Sequence, residues 1–204
     1  MQLAGIQELR FGNGSSITPG LALTMGMAWP LRNVVLMVSA EDQKRADERI
    51  PHLLATPAAV RGISAEPLLG PLNLSRYMPA WFCDDCGAFM LGRGDDGCEP
   101  DEDESSPCCS TCGSLRVRAV GIDWVIPGGE SGAGATPCEL DWIEDLIRQC
   151  VDAGVAPFVK QLGSAWAKAN GVDKIDAPGA SKGGAAHVWP GRLRVRKFPK
   201  GAQT

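Results

Sequence analysis

The chain has 204 residues, 44% of them hydrophobic, and a formal net charge of −4. That length suits one domain, or one domain with a small insert, and that apolar content excludes wholesale disorder. No stretch supplies the ~18 uninterrupted apolar residues of a membrane-spanning helix, and no basic start followed by an apolar run marks a secretory signal, so a cytoplasmic protein without membrane contact is expected.

Residues 1–30 hold many turn formers and no clear period, so they are expected to be loop with at most one short element. Regular structure is predicted to begin at Val34. The run VVLMVS is β-branched and apolar on both faces, as in a strand of a covered parallel sheet. After Glu41 the polar stretch DQKRADERIPHLLAT reads as a helix that packs Leu53 and Leu54 on the sheet, with Pro51 expected to kink or restart it. A second strand, AAVRGIS, follows at the distance of one strand-helix unit and ends near Glu66.

Residues 81–115 then break the pattern. Six of the eight cysteines lie between Cys83 and Cys112, and four of them form two C-x-x-C-G units, Cys83/Cys86 and Cys109/Cys112. Each unit can aim two thiolates at one ion, and two such knuckles complete the tetrahedral sulfur site of structural zinc. An iron–sulfur cluster and a pair of disulfides are the rival readings. Cys108 is an alternative to Cys109, and Cys98 has no partner at ligand spacing. Clustered cysteines of this kind fit a reducing compartment better than a secreted disulfide scaffold. The acidic stretch GRGDDGCEPDEDESSP between the knuckles reads as a solvated hairpin tip. A site with four sulfur ligands has no open position, which gives it a structural or docking role.

GIDWVIPGG is the third predicted strand and leads to Glu130. For the helix that follows, Thr136 is the expected N-cap, with Pro137 at the first position and Glu139 closing a capping box. Leu140, Ile143, Leu146, Ile147, Cys150 and Val151 keep an apolar helical spacing, and Gly154 supplies the stop. VAPFVKQLG is the fourth strand, ending on Lys160 and Gln161. From Trp166 onward eight Lys/Arg face two Asp, so this segment carries +6 and the rest of the chain −10. The basic segment 166–204 is therefore expected to be a tail on an acidic body. Its stretch WPGRLRVRKFPKG reads either as an edge strand with solvated charges or as a phosphate-contacting arm carried by Arg192, Arg194, Arg196 and Lys197. On the second reading, removal of residues 188–204 leaves the fold intact.

Strand-helix-strand, insertion, strand-helix-strand predicts an α/β fold with parallel strands at 29–80 and 116–165. Right-handed crossovers would bring the strand C-terminal ends to one side. Glu41, Glu66, Glu130 and the Lys160–Gln161 pair would emerge there, where ligands of parallel α/β folds gather. The competing reading gives each carboxylate a local role at a helix N-terminus. The loop PGGESGAGA, residues 127–135, is open to two readings, an anion cradle or a plain tight turn. His52 and His187, the only histidines, fit no metal or triad pattern.

The segments WPLRNVVLMVSAEDQKRADERIPHLLATPAAVRGISAEPLLGPLNL, IDWVIPGGESGAGATPCELDWIEDLIRQCVDAGVAPFVKQLG and LRVRKFP resemble a family of uncharacterised bacteriophage and prophage proteins. That family is distantly similar to radical S-adenosylmethionine (SAM) barrels. The resemblance implies a partial (β/α) barrel of about four parallel strands, its C-terminal half, with an inserted zinc ribbon, in a host cytoplasm if the chain is phage-encoded. Longer members carry closely spaced cysteines in a preceding half, whereas no cysteine precedes Cys83 here. SAM and an iron–sulfur cluster are thus expected only with a second polypeptide, or a second copy, that completes the barrel. The alternative is a zinc-containing module that binds nucleic acid or protein and catalyses nothing.

Overall fold

The computed structural model describes residues 30–83, 85–86, 89–91, 109 and 111–199, with the pairs 9–10 and 16–17. In chain order, β1 (Leu9–Arg10) and β2 (Ser16–Ile17) make a short antiparallel pair. β3 (Val35–Ser39), α1 (Gln43–Ala55) and β4 (Val60–Ala65) form the first strand-helix-strand unit. β5 (Ala80–Cys83), β6 (Phe89–Leu91) and β7 (Val117–Val120) are a separate antiparallel sheet in the order β6-β5-β7. β8 (Trp124–Pro127), α2 (Leu140–Asp152) and β9 (Ala156–Pro157) form the second unit, and α3 (Ser164–Ala169) follows.

The central sheet has the order β3-β4-β8-β9 and every neighbouring pair is parallel. The protein is thus α/β with four parallel strands in one sheet. Each strand lies beside the next in sequence, which puts the C-terminal ends of all four along one rim. Val38, Ile63 and Val125 stand side by side in the register. Leu36, Ile63 and Val125 are buried with the helices, because branched side chains on one face of the pleat meet the apolar stripes of α1 and α2. The α1 stripe is Ala46, Ile50 and Leu53, and that of α2 is Ile143, Leu146, Ile147 and Cys150. The alternate residues of the sheet are less covered. Met37 is exposed, and Ser64, Trp124 and Ile126 are half-buried, so the sheet is not sealed on both faces as the apolar runs predicted.

Several local expectations need correction. Pro51 lies inside α1, and the helix runs on to Ala55 without a restart. Its start is fixed by the Asp42 carboxylate, which accepts the Arg45 amide at 2.8 Å, and Ile50 and Leu53 hold its second half on the sheet despite the missing donor. The capping box at Thr136 does not form: α2 begins at Leu140 with Glu139 at the cap and no side-chain bond to it. The Thr136 amide is taken instead by Glu130 at 2.7 Å. Val151 is exposed, off the buried stripe, while Gly154 does end α2, with φ 69°.

The fourth strand is shorter than its apolar run implied. β9 pairs with β8 over two residues, and beyond it the backbone is shared with the C-terminal segment. The Val159 amide donates to Val195 O at 2.8 Å and the Lys197 amide to Pro157 O at 2.9 Å. Residues 195–197 therefore cover the outer edge of β9 in the antiparallel sense. The basic segment is no detachable tail, because Trp189 and Leu193, 1% and 0% exposed, belong to the main core. The expectation that residues 188–204 are dispensable is overturned by that burial.

The antiparallel sheet leaves the body through a narrow neck. It departs after Tyr77 and returns at Ile122, whose amide donates to Tyr77 O at 3.1 Å. No described helix is long and apolar enough to cross a membrane.

Candidate metal centre and strand-end site

β5 delivers Cys83 to the end of the antiparallel sheet, and the turn after it brings Cys86 back alongside. The second knuckle is closed by backbone bonds: the Gly113 amide donates to Cys109 O at 2.7 Å and the Cys109 amide to Ser114 O at 2.8 Å. Gly113 sits at φ 73°, a conformation that a side chain resists and glycine adopts freely, which explains the glycine after the pair. Asp85 ties the two turns together through Arg116, at 2.8 Å.

The four sulfur atoms of Cys83, Cys86, Cys109 and Cys112 all lie within 4.8 Å of one another. Cys83 Sγ is 3.6 Å from Cys112 Sγ, and Cys86 Sγ is 3.5 Å from Cys109 Sγ. Thiolates held about 2.3 Å from one tetrahedral ion stand about 3.8 Å apart, so the spacing suits a shared metal. Disulfides, with sulfurs at about 2.05 Å, do not describe it. Among the described residues this is the one group of three or more His, Cys, Asp or Glu that could hold a metal ion. Cys83 and Cys109 are buried, Cys86 and Cys112 exposed. Burial pushes the Cys109 thiol up, but the amides of Cys112 and Thr111 and the neighbouring thiols outweigh it and bring it down to about 6. At Cys112 the Ser114 amide acts downward, yet the thiols around it and its burial prevail and push it up to about 12. The cluster favours one thiolate and resists the next, a conflict that a cation among the sulfurs resolves. Cys98, Cys108 and the acidic stretch lie outside the described residues, while Cys138 and Cys150 are buried in the main core, away from this site.

The strand-end rim holds the predicted carboxylates, each with its own partner. Glu66, after β4, is 2.8 Å from Lys160 Nζ, which extends from the residues after β9 across the end of β8. The Glu66 side chain is 15% exposed and Lys160 56%, so the pair opens on its lysine side. Glu41 pairs with Arg49 of α1 at 2.9 Å. Glu130 accepts the Thr136 amide, a bond that holds its carboxyl below the usual range. Of the four, the fold brings Glu66 and Lys160 together and gives Glu41 and Glu130 local work. Gln161, expected at this rim beside Lys160, is buried there and donates to Gly129 O at 3.0 Å.

The glycine-rich loop is close-packed at Gly128 and Gly129 and exposed from Ser131 to Gly134. The Gly128 amide donates to Ala65 O, the Gly129 amide to Gln161 O and the Gly132 amide to Ser164 Oγ, so these donors do not face an anion. A Cβ on Gly129 would stand 2.4 Å from Leu162 O. Gly129→Ala is therefore expected to destabilise the fold by about 1–3 kcal/mol, since backbone must move to admit it; urea unfolding measures the loss, and an unchanged midpoint would contradict the packing described.

The four basic residues expected to contact phosphate differ in their surroundings. Arg192 pairs with Glu144 at 2.6 Å. Arg194 donates through Nε to Trp189 O at 2.8 Å. Arg196 donates to the carbonyls of Val159 and Lys160, and its guanidinium lies 5.0 Å from the Trp189 ring and 5.5 Å from that of Phe158. Lys197 is exposed and has no ion pair among the described residues. Beside it the rings of Trp124, Phe158 and Phe198 form a cluster.

A family model described as "Protein of unknown function (DUF5131)" matches residues 7–199. No curated protein and no solved structure matches the chain.

Proposed function

We propose, from the premise that the chain belongs to the DUF5131 family of proteins of unknown function, that it is a zinc-stabilised α/β module with a small-ligand site at the strand-end rim. The observation that carries the metal reading is the mutual approach of the four sulfurs within 4.8 Å. Zinc suits an all-thiolate tetrahedron, and the two knuckles on a three-stranded antiparallel sheet are then a zinc ribbon. With four protein ligands the ion fixes the fold of the insert and leaves no position for substrate. Reduced thiols of this kind fit a cytoplasm, that of a host if the chain is phage-encoded. Elemental analysis of protein purified without chelator tests the assignment: one zinc per chain supports it, and iron or no metal overturns it.

At the rim, Glu66 and Lys160 offer an acceptor and an exposed cation side by side, a pairing suited to a polar zwitterionic or hydroxylated ligand. The parallel order of the sheet supports an arc of a radical-SAM-like barrel. Because residues 195–197 occupy the outer edge of β9, a completing polypeptide would join at β3. An iron–sulfur cluster would belong to that polypeptide, where it would supply the reductive chemistry. This chain's part would be to bind and orient SAM through Glu66 and Lys160. Calorimetric titration with SAM, alone and with such a partner, tests this. Heat that falls in Glu66→Gln and Lys160→Ala supports the rim site, and no heat at millimolar SAM in either arm overturns it.

A further inference from the structure

We propose that the Trp124–Phe158–Phe198 cluster, with Arg196 and Lys197 beside it, is a stacking surface for single-stranded nucleic acid. The three rings come from β8, the segment after β9 and the C-terminal segment, with centroids 5.2–6.0 Å apart. The Trp124 indole N–H donates to Lys197 O at 3.0 Å, which fastens the C-terminal segment against β8 and fixes the rings relative to one another. Phe198 is nonetheless 52% exposed. An aromatic ring in the core of this fold would be covered, as Trp189 is; this one is held in place and left open.

The charges beside the rings select the partner. Arg196 lies over Phe158 on one side of the cluster, and Lys197 has no acidic partner among the described residues. The nearby carboxylate, Asp123, is turned inward: it accepts the Arg61 amide at 2.7 Å. The segment that supplies these cations carries +6 on a chain whose remainder is −10, so a polyanion is drawn to this corner and repelled elsewhere. An exposed ring backed by two half-buried ones, with a cation beside it, matches an unstacked base on a phosphate backbone. A duplex keeps its base faces to itself and would leave Phe198 without a partner. The sequence had pointed to Arg192, Arg194 and Arg196 as well, but Arg192 is committed to Glu144, Arg194 is tethered to Trp189 O and Arg196 donates to the carbonyls of Val159 and Lys160, so the cation left for phosphate is Lys197, beside the three rings.

Fluorescence anisotropy of labelled dT and U oligomers of about 12 nucleotides, added to the metal-loaded full chain, tests the proposal. Both should bind, with affinity falling as salt rises at a log–log slope of about −1 to −2, as expected for a few phosphate contacts. A preference between the two tells which strand is the natural one. Phe198→Ala should weaken binding about tenfold by removing one stacking partner. Lys197→Glu should weaken it as well, and its exposed side chain leaves the carbonyl bond to Trp124 in place, so loss of fold does not confound that variant. Absence of binding at low salt, undiminished binding by both variants, or tighter binding of a duplex of the same length would overturn the proposal. So would self-association of the chain, seen in sedimentation, that disappears with Phe198→Ala and competes with the oligomer.

Discussion

Stripping the metal with a strong chelator is expected to unfold residues 81–115 and leave the parallel sheet and its helices standing. The insert is too short to build a sufficient core of its own. Its described core is Cys83 and Cys109, with Val117 packed against them, and its sheet is three short strands. A unit of this size cannot offset its chain entropy by burial, so metal binding, about 10–16 kcal/mol in small zinc modules, supplies the folding free energy. The body has a separate core that runs from Val34 to Leu193. Hydrogen exchange should therefore show β5–β7 amides losing protection on chelation while β4 and α2 amides keep theirs. Serine at any of Cys83, Cys86, Cys109 or Cys112 should lower metal content. Serine at Cys138 or Cys150 should cost stability without touching it. Protection of β5–β7 that survives complete metal removal would show that the thiols are not what holds the insert.

Replacing Trp189 by alanine is the second large effect, expected to destabilise the body by about 3–5 kcal/mol, a substantial part of the 5–15 kcal/mol that holds a typical domain. The ring is 1% exposed, lies under the Arg196 guanidinium and donates its N–H to Gly183 O at 2.8 Å. Its loss opens a cavity between the core and the C-terminal segment and frees that segment from its anchor. Truncation after Val188 goes further, removing Leu193 and the backbone bonds that cover β9, and should leave a chain that does not fold at 37 °C. Chemical denaturation of Trp189→Ala and the solubility of the truncated chain measure both. A truncated chain with the wild-type melting temperature would refute the core membership of the segment.

The strands were legible because β-branched residues repeat in VVLMVS, VRGIS and WVI, and the crossover rule then fixed their direction. The cysteine geometry was legible as well, since two C-x-x-C turns constrain where four sulfurs can go. The C-terminal segment was legible only as the edge strand that residues 195–197 make against β9, not as part of the core. Trp189 and Leu193 stand among prolines, glycines and arginines with no periodicity, and only the tertiary fold reveals that a guanidinium such as that of Arg196 is spent on carbonyls. Thr136 carried a sound local signal for a cap, and a residue six positions earlier, Glu130, captured its amide first. Glu41 and Glu66 illustrate the division: register placed both at the strand ends, but which cation each would meet depended on the reach of Arg49 from α1 and of Lys160 from beyond β9.

The bond from Ile122 to Tyr77 has a consequence for how this chain can change over time. The cysteine-bearing excursion starts and ends at two backbone positions already joined to each other, and β4 and β8 are neighbours in the sheet whether or not it is there. An insertion or deletion between those positions does not shift the strand register, so mutation can lengthen, trim or exchange this cassette freely while the sheet stays under constraint. Homologues are then expected to differ most in length here, and a short turn linking residue 78 to residue 121 would make a minimal body in which the functions of the two parts are assayed separately.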